Sequence, residues 1–366
     1  MTAYDVAVYY FPNYHVEPRN DATRGPGWTE WDEVRRARPR FPGHQQPKVP
    51  LWGYQDESDP AVMAQKIDAA ADHGITTFIF DWYWDEDGPM LNAALEQGFL
   101  AAPNNDRLRF SVMWANHWPL ARPAFDRATD HIIHTYLSHP SYQMIDGKAY
   151  VSIYELATLM NGLGGVDQTR DALDHFRQRA HAHGVDIHLN AVHWGVQMGD
   201  PTPSLTAQNN LLATLGVDSV TSYVWIHHAA LDHFPDVSYA RYAADAFPDW
   251  ERFSRDYAPP YYPNVTVGWD PSPRTDQAAP FALGAYPATA VLTDNTPERF
   301  ETVLREARAF LDQGLAAHPL LTIYAWNEWA EGGYLEPDTT NGWAYLEAIK
   351  RVFGPASPPT VGRQDA

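Results

Sequence analysis

LLTIYAWNEWAEGGYLEP, residues 320–337, joins two kinds of sequence. It opens as a buried strand, because Leu320, Leu321, Ile323 and Tyr324 form a short apolar run rich in β-formers. It closes on Trp326, Asn327, Glu328, Trp329 and Glu331, a polar and aromatic cluster that gains nothing from a core position. Two carboxylates three residues apart at a strand exit, among indoles and an amide, have the composition of a site. Either glutamate could instead cap a following helix, although capping has no use for the tryptophans.

Outward from this stretch, apolar strand-like runs alternate with helix-like segments along the whole chain. The other strand candidates are 4–11, 75–84, 107–115, 148–155, 185–194, 217–225 and 264–270. Helical patterns follow at 60–74, 89–100, 124–138, 168–183, 205–215, 239–256, 297–314 and 341–353. Glycines at 74, 184, 216 and 314 supply helix stops, and Pro60 after Asp59 supplies a helix start. Uninterrupted apolar strands separated by helices imply a parallel sheet covered on its outside. The fold class expected is α/β, a single (β/α)8 TIM barrel with enlarged βα loops, spanning 1–353. Residues 354–366, a short Pro-containing run, are expected to form a disordered C-terminal tail. A doubly wound open sheet is the competing fold. Against it, no GxGxxG or GxxxxGK turn occurs, and polar residues gather at many strand exits instead of one switch point.

Charge and composition narrow the function. The 366 residues carry 46 Asp and Glu against 26 Lys and Arg, a formal charge of −20, which argues against nucleic acid or an anionic membrane as partner. The absence of cysteine leaves no disulfide framework, thiolate metal site or thiol nucleophile. No apolar run is long enough to span a membrane and MTAYDVAVYYF has no basic leader, so a cytoplasmic location is expected. The 14 Trp and 20 Tyr are the informative part of the composition.

Active sites of barrels lie at the C-terminal ends of the strands. In chain order these exits offer Tyr10, Asn13 and His15; Asp81, Trp82 and Trp84; Trp114, Asn116 and His117; and Tyr154 and Glu155. Asn190, His193 and Trp194 follow, then Tyr223 and Trp225, Trp269 and Asp270, and Trp326, Asn327, Glu328 and Glu331. A lone Trp or Tyr at such a place is usually core; recurrence around a ring is the signal. The mixture suits a carbohydrate, whose C–H faces stack on indoles and whose hydroxyls need amide, imidazole and carboxylate partners. Glycosidic cleavage commonly uses two carboxyl groups, and Glu328 with Glu331 is the most concentrated pair. Tyr10, His15, Asp81, Asn116, Glu155, Asp270 and Asn327 are candidates to hold hydroxyls, and Trp82, Trp114, Trp225, Trp269 and Trp326 to stack on sugar faces. Glu336, just before Pro337, is read as structural. Asp85-Glu86-Asp87 reads as a solvated loop, and no histidine grouping has a metal-site spacing, so neither metal nor cofactor is expected. Arg35, Arg36, Arg38 and Arg40 form the one basic run, read as a solvated face.

The segments YYFPNYH (9–15), GWTEW (27–31), RPRFPGHQQPKVP (38–50) and FIFDWYW (78–84) together resemble glycoside hydrolase family 99-like proteins. MWANHW (113–118), DGKAYVSIYE (146–155), GWDPSPR (268–274) and AWNEWAEGGYLEPD (325–338) continue the likeness in the same order. The resemblance implies a (β/α)8 barrel acting on glycans, among relatives described as glycosidases or as polysaccharide-biosynthesis glycosyltransferases. Endo-acting α-mannosidases of that family carry a similar NEWxE segment. By that likeness Glu328 is the base that deprotonates the substrate's own 2-hydroxyl, giving a 1,2-anhydro sugar, and Glu331 is the acid that then assists water. Such chemistry retains configuration and needs a 2-hydroxyl trans to the leaving group, as in manno- or rhamno-configured α-glycosides. Three other readings stay open: a glycosyltransferase of surface-polysaccharide assembly, a non-catalytic carbohydrate-binding protein, and a polysaccharide lyase. Oligomeric state, the sugar, and endo or exo action are not legible in the sequence.

Overall fold

The computed structural model describes residues 4–197 and 202–354. The expected tail lies outside the described residues apart from Gly354. Nine parallel strand segments form the central sheet: Asp5–Tyr10 (β1), Thr77–Asp85 (β2), Arg109–Trp114 (β3), Lys148–Ile153 (β4), Ile187–Val192 (β5), Ser219–Thr221 (β6), Tyr261–Tyr262 (β7), Asn264–Thr266 (β8) and Leu320–Tyr324 (β9). Their spatial order is β7-β6-β5-β4-β3-β2-β1-β9-β8. β7 and β8 flank Pro263, which has no N–H to give a ladder, so one barrel position is read as two segments. The first half pairs with β6 and the second with β9, and together they bring the sheet round to an eight-position barrel. The expected seventh strand, 264–270, therefore starts earlier and stops at Thr266, and Val267–Asp270 belongs to its exit loop.

The barrel is dry. Every residue of β1, β5 and β9 is buried, as an all-parallel sheet covered on both faces requires. Helices pack outside, and their starts obey local chemistry. Asp59 accepts from the Ala61 N–H at 2.8 Å ahead of Pro60–Asp72, and Ser204 accepts from the Ala207 N–H at 3.3 Å ahead of Leu205–Leu215. Two short helices, Pro18–Arg24 and Trp31–Arg36, lie in the long β1 exit loop, where the sequence offers no apolar periodicity long enough to announce them.

Past β9 the chain forms a small antiparallel hairpin, Asn327–Glu328 against Gly333–Tyr334, with a single 3₁₀ turn, Trp329–Glu331, between its arms. The Gly332-Gly333 pair makes this turn possible. Gly332 has φ +69°, and a Cβ on Gly333 would sit 2.3 Å from the Tyr324 ring. Close approach lets the Asp270 N–H bond the Glu331 carbonyl at 2.5 Å, which fixes the backbone of Glu331 to the β8 exit.

Candidate active site

The strand exits enclose a cleft of about 780 Å³, within the usual range for small-molecule sites. Its floor holds Asp81, Glu328 and Glu331, with Arg274 beside them. Phe11, Trp28, Tyr83, Tyr154, Trp194, Tyr223, Trp269 and Tyr286 give it aromatic walls.

Arg274 organises the carboxylates. Its Nε donates to Glu30 Oε1 at 2.8 Å, one terminal nitrogen donates to Glu331, and the other reaches Glu328 Oε2 at 3.4 Å. The planar guanidinium fork suits such shared contacts, and its face lies over Phe11 at 5.3 Å. Glu331 also accepts from the Tyr286 hydroxyl at 2.6 Å and from the Tyr324 hydroxyl. Glu328 has only long contacts, to Arg274 and to the Tyr223 hydroxyl at 3.5 Å. Burial, then the neighbouring Glu331, push its carboxyl well above the usual range, and Arg274 only partly opposes them.

Asp81 is the third acid. It is 2% exposed and pairs with no cation among the described residues. The Tyr223 hydroxyl donates to Oδ2 at 2.7 Å, and Oδ1 has no partner. Burial raises its carboxyl well above the ordinary value, with Glu331 adding to the effect.

Of the residues singled out in the sequence, Asp81, His117, Tyr154, Trp194, Tyr223, Trp269, Glu328 and Glu331 line this cleft. The other residues given a hydroxyl-holding or stacking role do not line it, for identifiable reasons. Successive strand residues point to opposite faces. Asp81 and Tyr83 face the cleft, while Trp82 turns outward and donates to Tyr136 Oη at 3.1 Å. Met113 and Ala115 face it, while Trp114 stacks on Phe125 with centroids 5.6 Å apart. Trp225 is buried and donates to the Asn264 carbonyl at 2.8 Å. Asn116 spends both ends of its amide on the Glu155 backbone, and Glu155 accepts from Thr158 Oγ1 at 2.5 Å with His117 3.6 Å away. Burial alone would raise the Asp270 carboxyl, but His44, Ser272 and Gln46 outweigh it and hold the pKa low behind the cleft. Tyr10, His15 and Asn327 gather around buried Glu57, and Trp326 donates to Glu336 at 3.0 Å. Arg274, Tyr286, Glu30, Tyr83 and Tyr324 complete the site without having been singled out. Alternation along β2 was the available signal for Tyr83, and GWDPSPR ends on Arg274.

Among the described residues no group of three or more His, Asp or Glu is arranged to hold a metal ion, and no helix is long and apolar enough to cross a membrane.

Comparison with known proteins agrees with this architecture. The protein WxcX of Xanthomonas campestris pv. campestris is 28% identical over 389 aligned positions, covering 95% of this chain and 49% of its own length. The chain thus spans about half the length of the curated relatives it matches. A solved glycoside hydrolase-like protein superposes with TM-score 0.65 at 14% identity, covering 97% of this chain and 95% of the other. The family 99 endo-alpha-mannosidase from Bacteroides thetaiotaomicron superposes with TM-score 0.60 at 15% identity, covering 94% and 95%. At such identities the likeness establishes the fold alone, a (β/α)8 barrel. The family model described as Glycosyltransferase WbsX matches residues 6–349, nearly the whole chain, and the protein belongs to that family.

Proposed function

We propose that the protein makes or breaks a glycosidic bond in this cleft, with Glu328 and Glu331 as its acid/base pair and a manno- or rhamno-configured α-glycoside as donor. One observation carries the reading: two buried glutamates share a single arginine on the floor of a large aromatic-walled cleft at the strand exits. Glu328 removes the proton of the donor's 2-hydroxyl, whose oxygen attacks the anomeric carbon as the glycosidic bond breaks. Glu331 gives its proton to the departing oxygen. In the second step an incoming hydroxyl loses its proton to Glu331 and opens the 1,2-anhydro ring, while O2 recovers a proton from Glu328. Both attacks invert the anomeric centre, so configuration is retained overall.

These roles require Glu328 as the anion and the proton on Glu331 when substrate is bound, so the substrate must offset the burial and the neighbouring Glu331 that raise the Glu328 carboxyl. Substrates with a good leaving group test the assignment. Glu331→Gln should keep much of the wild-type rate of first-turnover dinitrophenolate release from a dinitrophenyl glycoside and lose roughly 10²-fold or more on an alkyl glycoside, while Glu328→Gln should lose both. The reverse pattern exchanges the two roles; full activity in both variants removes the pair from catalysis.

The family description favours transfer to a sugar acceptor over hydrolysis. The two differ only in whether water or a sugar hydroxyl opens the intermediate. The charge of the cleft bears on the donor: Glu30, Glu33, Asp81, Glu328 and Glu331 face Arg24 and Arg274, and Arg274 is already shared by three carboxylates. A nucleotide diphosphate would meet an excess of negative charge there, which favours a neutral glycoside as donor. Chromatography of products, with and without an added oligosaccharide acceptor, separates transfer from hydrolysis.

A further inference from the structure

A row of aromatic rings leads away from the reacting pair. Tyr223, whose hydroxyl lies 3.5 Å from Glu328, stacks near-parallel on His227 with centroids 6.1 Å apart and planes 22° apart. His227 in turn stacks on Trp194 at 5.0 Å and 28°. All three line the cleft, and Trp194, which ends the row, is 39% exposed, a large fraction for an indole. One face of that indole is covered by His227, so the exposed area belongs to the other face and the edge.

Barrel topology places this row across the mouth from the β1 loop. β5 and β1 stand four positions apart in an eight-position ring, and Trp194 follows β5 while Trp28 follows β1. Both tryptophans line the one cleft. The polar surroundings of the row suit hydroxyl groups. His227 Nε2 pairs with the Tyr154 hydroxyl at 3.2 Å, and its Nδ1 is buried with no partner among the described residues. A buried ring nitrogen without a partner is costly and calls for a ligand or a water. His117, at the rim, carries a partly exposed imidazole beside Glu155. Burial, then His228, lower the His227 pKa to about 3, so the platform is uncharged at neutral pH.

We infer that Trp194, backed by His227 and rimmed by His117, forms a stacking subsite for a second neutral sugar ring of the same glycan chain, beyond the ring at Glu328 and Glu331. The inference rests on the functional reading above and narrows it to substrates of more than one sugar unit. Ring stacking there adds affinity that a monosaccharide cannot reach.

Calorimetric titration of α-linked manno- and rhamno-oligosaccharides, from one to five units, into the Glu328→Gln protein tests it. Affinity should rise with chain length. Adding Trp194→Ala should remove the rise, weakening the longer ligands roughly tenfold and leaving the monosaccharide unchanged. Trp194→Tyr should restore most of the gain, and Trp343→Ala, at an exposed tryptophan outside the cleft, should alter nothing. An unchanged length dependence in Trp194→Ala overturns the subsite and leaves the functional reading standing. No binding by any member of the series overturns the functional reading and the subsite with it.

Discussion

The stretch after β9 feeds two buried charged networks, and they differ in an instructive way. In the first, Lys66 bonds Glu336 at 2.7 Å and lies 3.9 Å from Glu57. Glu57 also accepts from the Tyr14 N–H at 2.7 Å and the Tyr10 hydroxyl at 2.9 Å, and Glu336 takes the indole N–H groups of Trp326 and Trp329 at 3.0 and 2.6 Å. Every member of this charged trio is at most 4% exposed, and none of them lines the cleft. In the second, Arg274 serves Glu30, Glu328 and Glu331 together, Asp81 stands by with no cation, and the whole group faces the cleft. The first network is saturated with donors and sealed. The second is short of positive charge and open to a ligand. Buried carboxylates therefore do not mark a site by themselves; a charge deficit beside empty space does.

That contrast can be broken most sharply by removing charge from each side. Glu328→Gln or Glu331→Gln should lower turnover of a glycoside with a poor leaving group by roughly 10²-fold or more, while thermal unfolding of the variants stays close to wild type. Lys66→Met should do the opposite. It leaves Glu57 and Glu336 buried without their cation and should destabilise the fold by about 3–5 kcal/mol, read by denaturant unfolding. Variants of the second network that unfold as readily as Lys66→Met would erase the distinction.

A smaller effect sharpens the role of Arg274. Arg274→Lys keeps the charge but loses the planar fork that touches three carboxylates, and activity should fall by roughly tenfold with the pH profile displaced. A profile unchanged in shape would reduce Arg274 to a packing group. The smallest effect belongs to Asp81→Asn. A carboxyl whose pKa is raised by folding contributes stability that is complete below its ordinary value and is lost as pH rises through the folded value. Asparagine removes that loss. The variant should match wild type in acid and be the more stable of the two at neutral pH, as thermal unfolding across pH would show. Greater loss of stability at neutral pH than in acid would mean that the Asp81 anion is the form the fold favours.

Much of the site was legible because strand exits are legible. Apolar runs ending in Asp81, Tyr154, Tyr223, Trp269 and the NEW segment located the mouth of the barrel. Which neighbour faces inward was harder. At β2, Trp82 was favoured as a sugar platform, but Asp81 and Tyr83 share the inner face and Trp82 packs outward against Tyr136. Period-two alternation fixes which residues share a face, but the register of the barrel decides which face is inside. The parts played by Glu30, which lies inside GWTEW, and by Tyr286 were not legible, because both arrive on long loops with no periodicity to fold them forward from.

The sequence by itself determined the alternation of strand and helix, the glycines that stop the helices, and the carboxylate pair at the end of the last strand. These follow from local propensity, hydrophobic period and turn chemistry, which need no distant partner. Only the tertiary structure decided that Glu331 is saturated by Arg274, Tyr286 and Tyr324 while Glu328 is not, and that Glu336, five residues on, is paired with Lys66. Protonation inside a protein depends on burial and on charges brought close from remote parts of the chain. Those distances exist only once the barrel has closed.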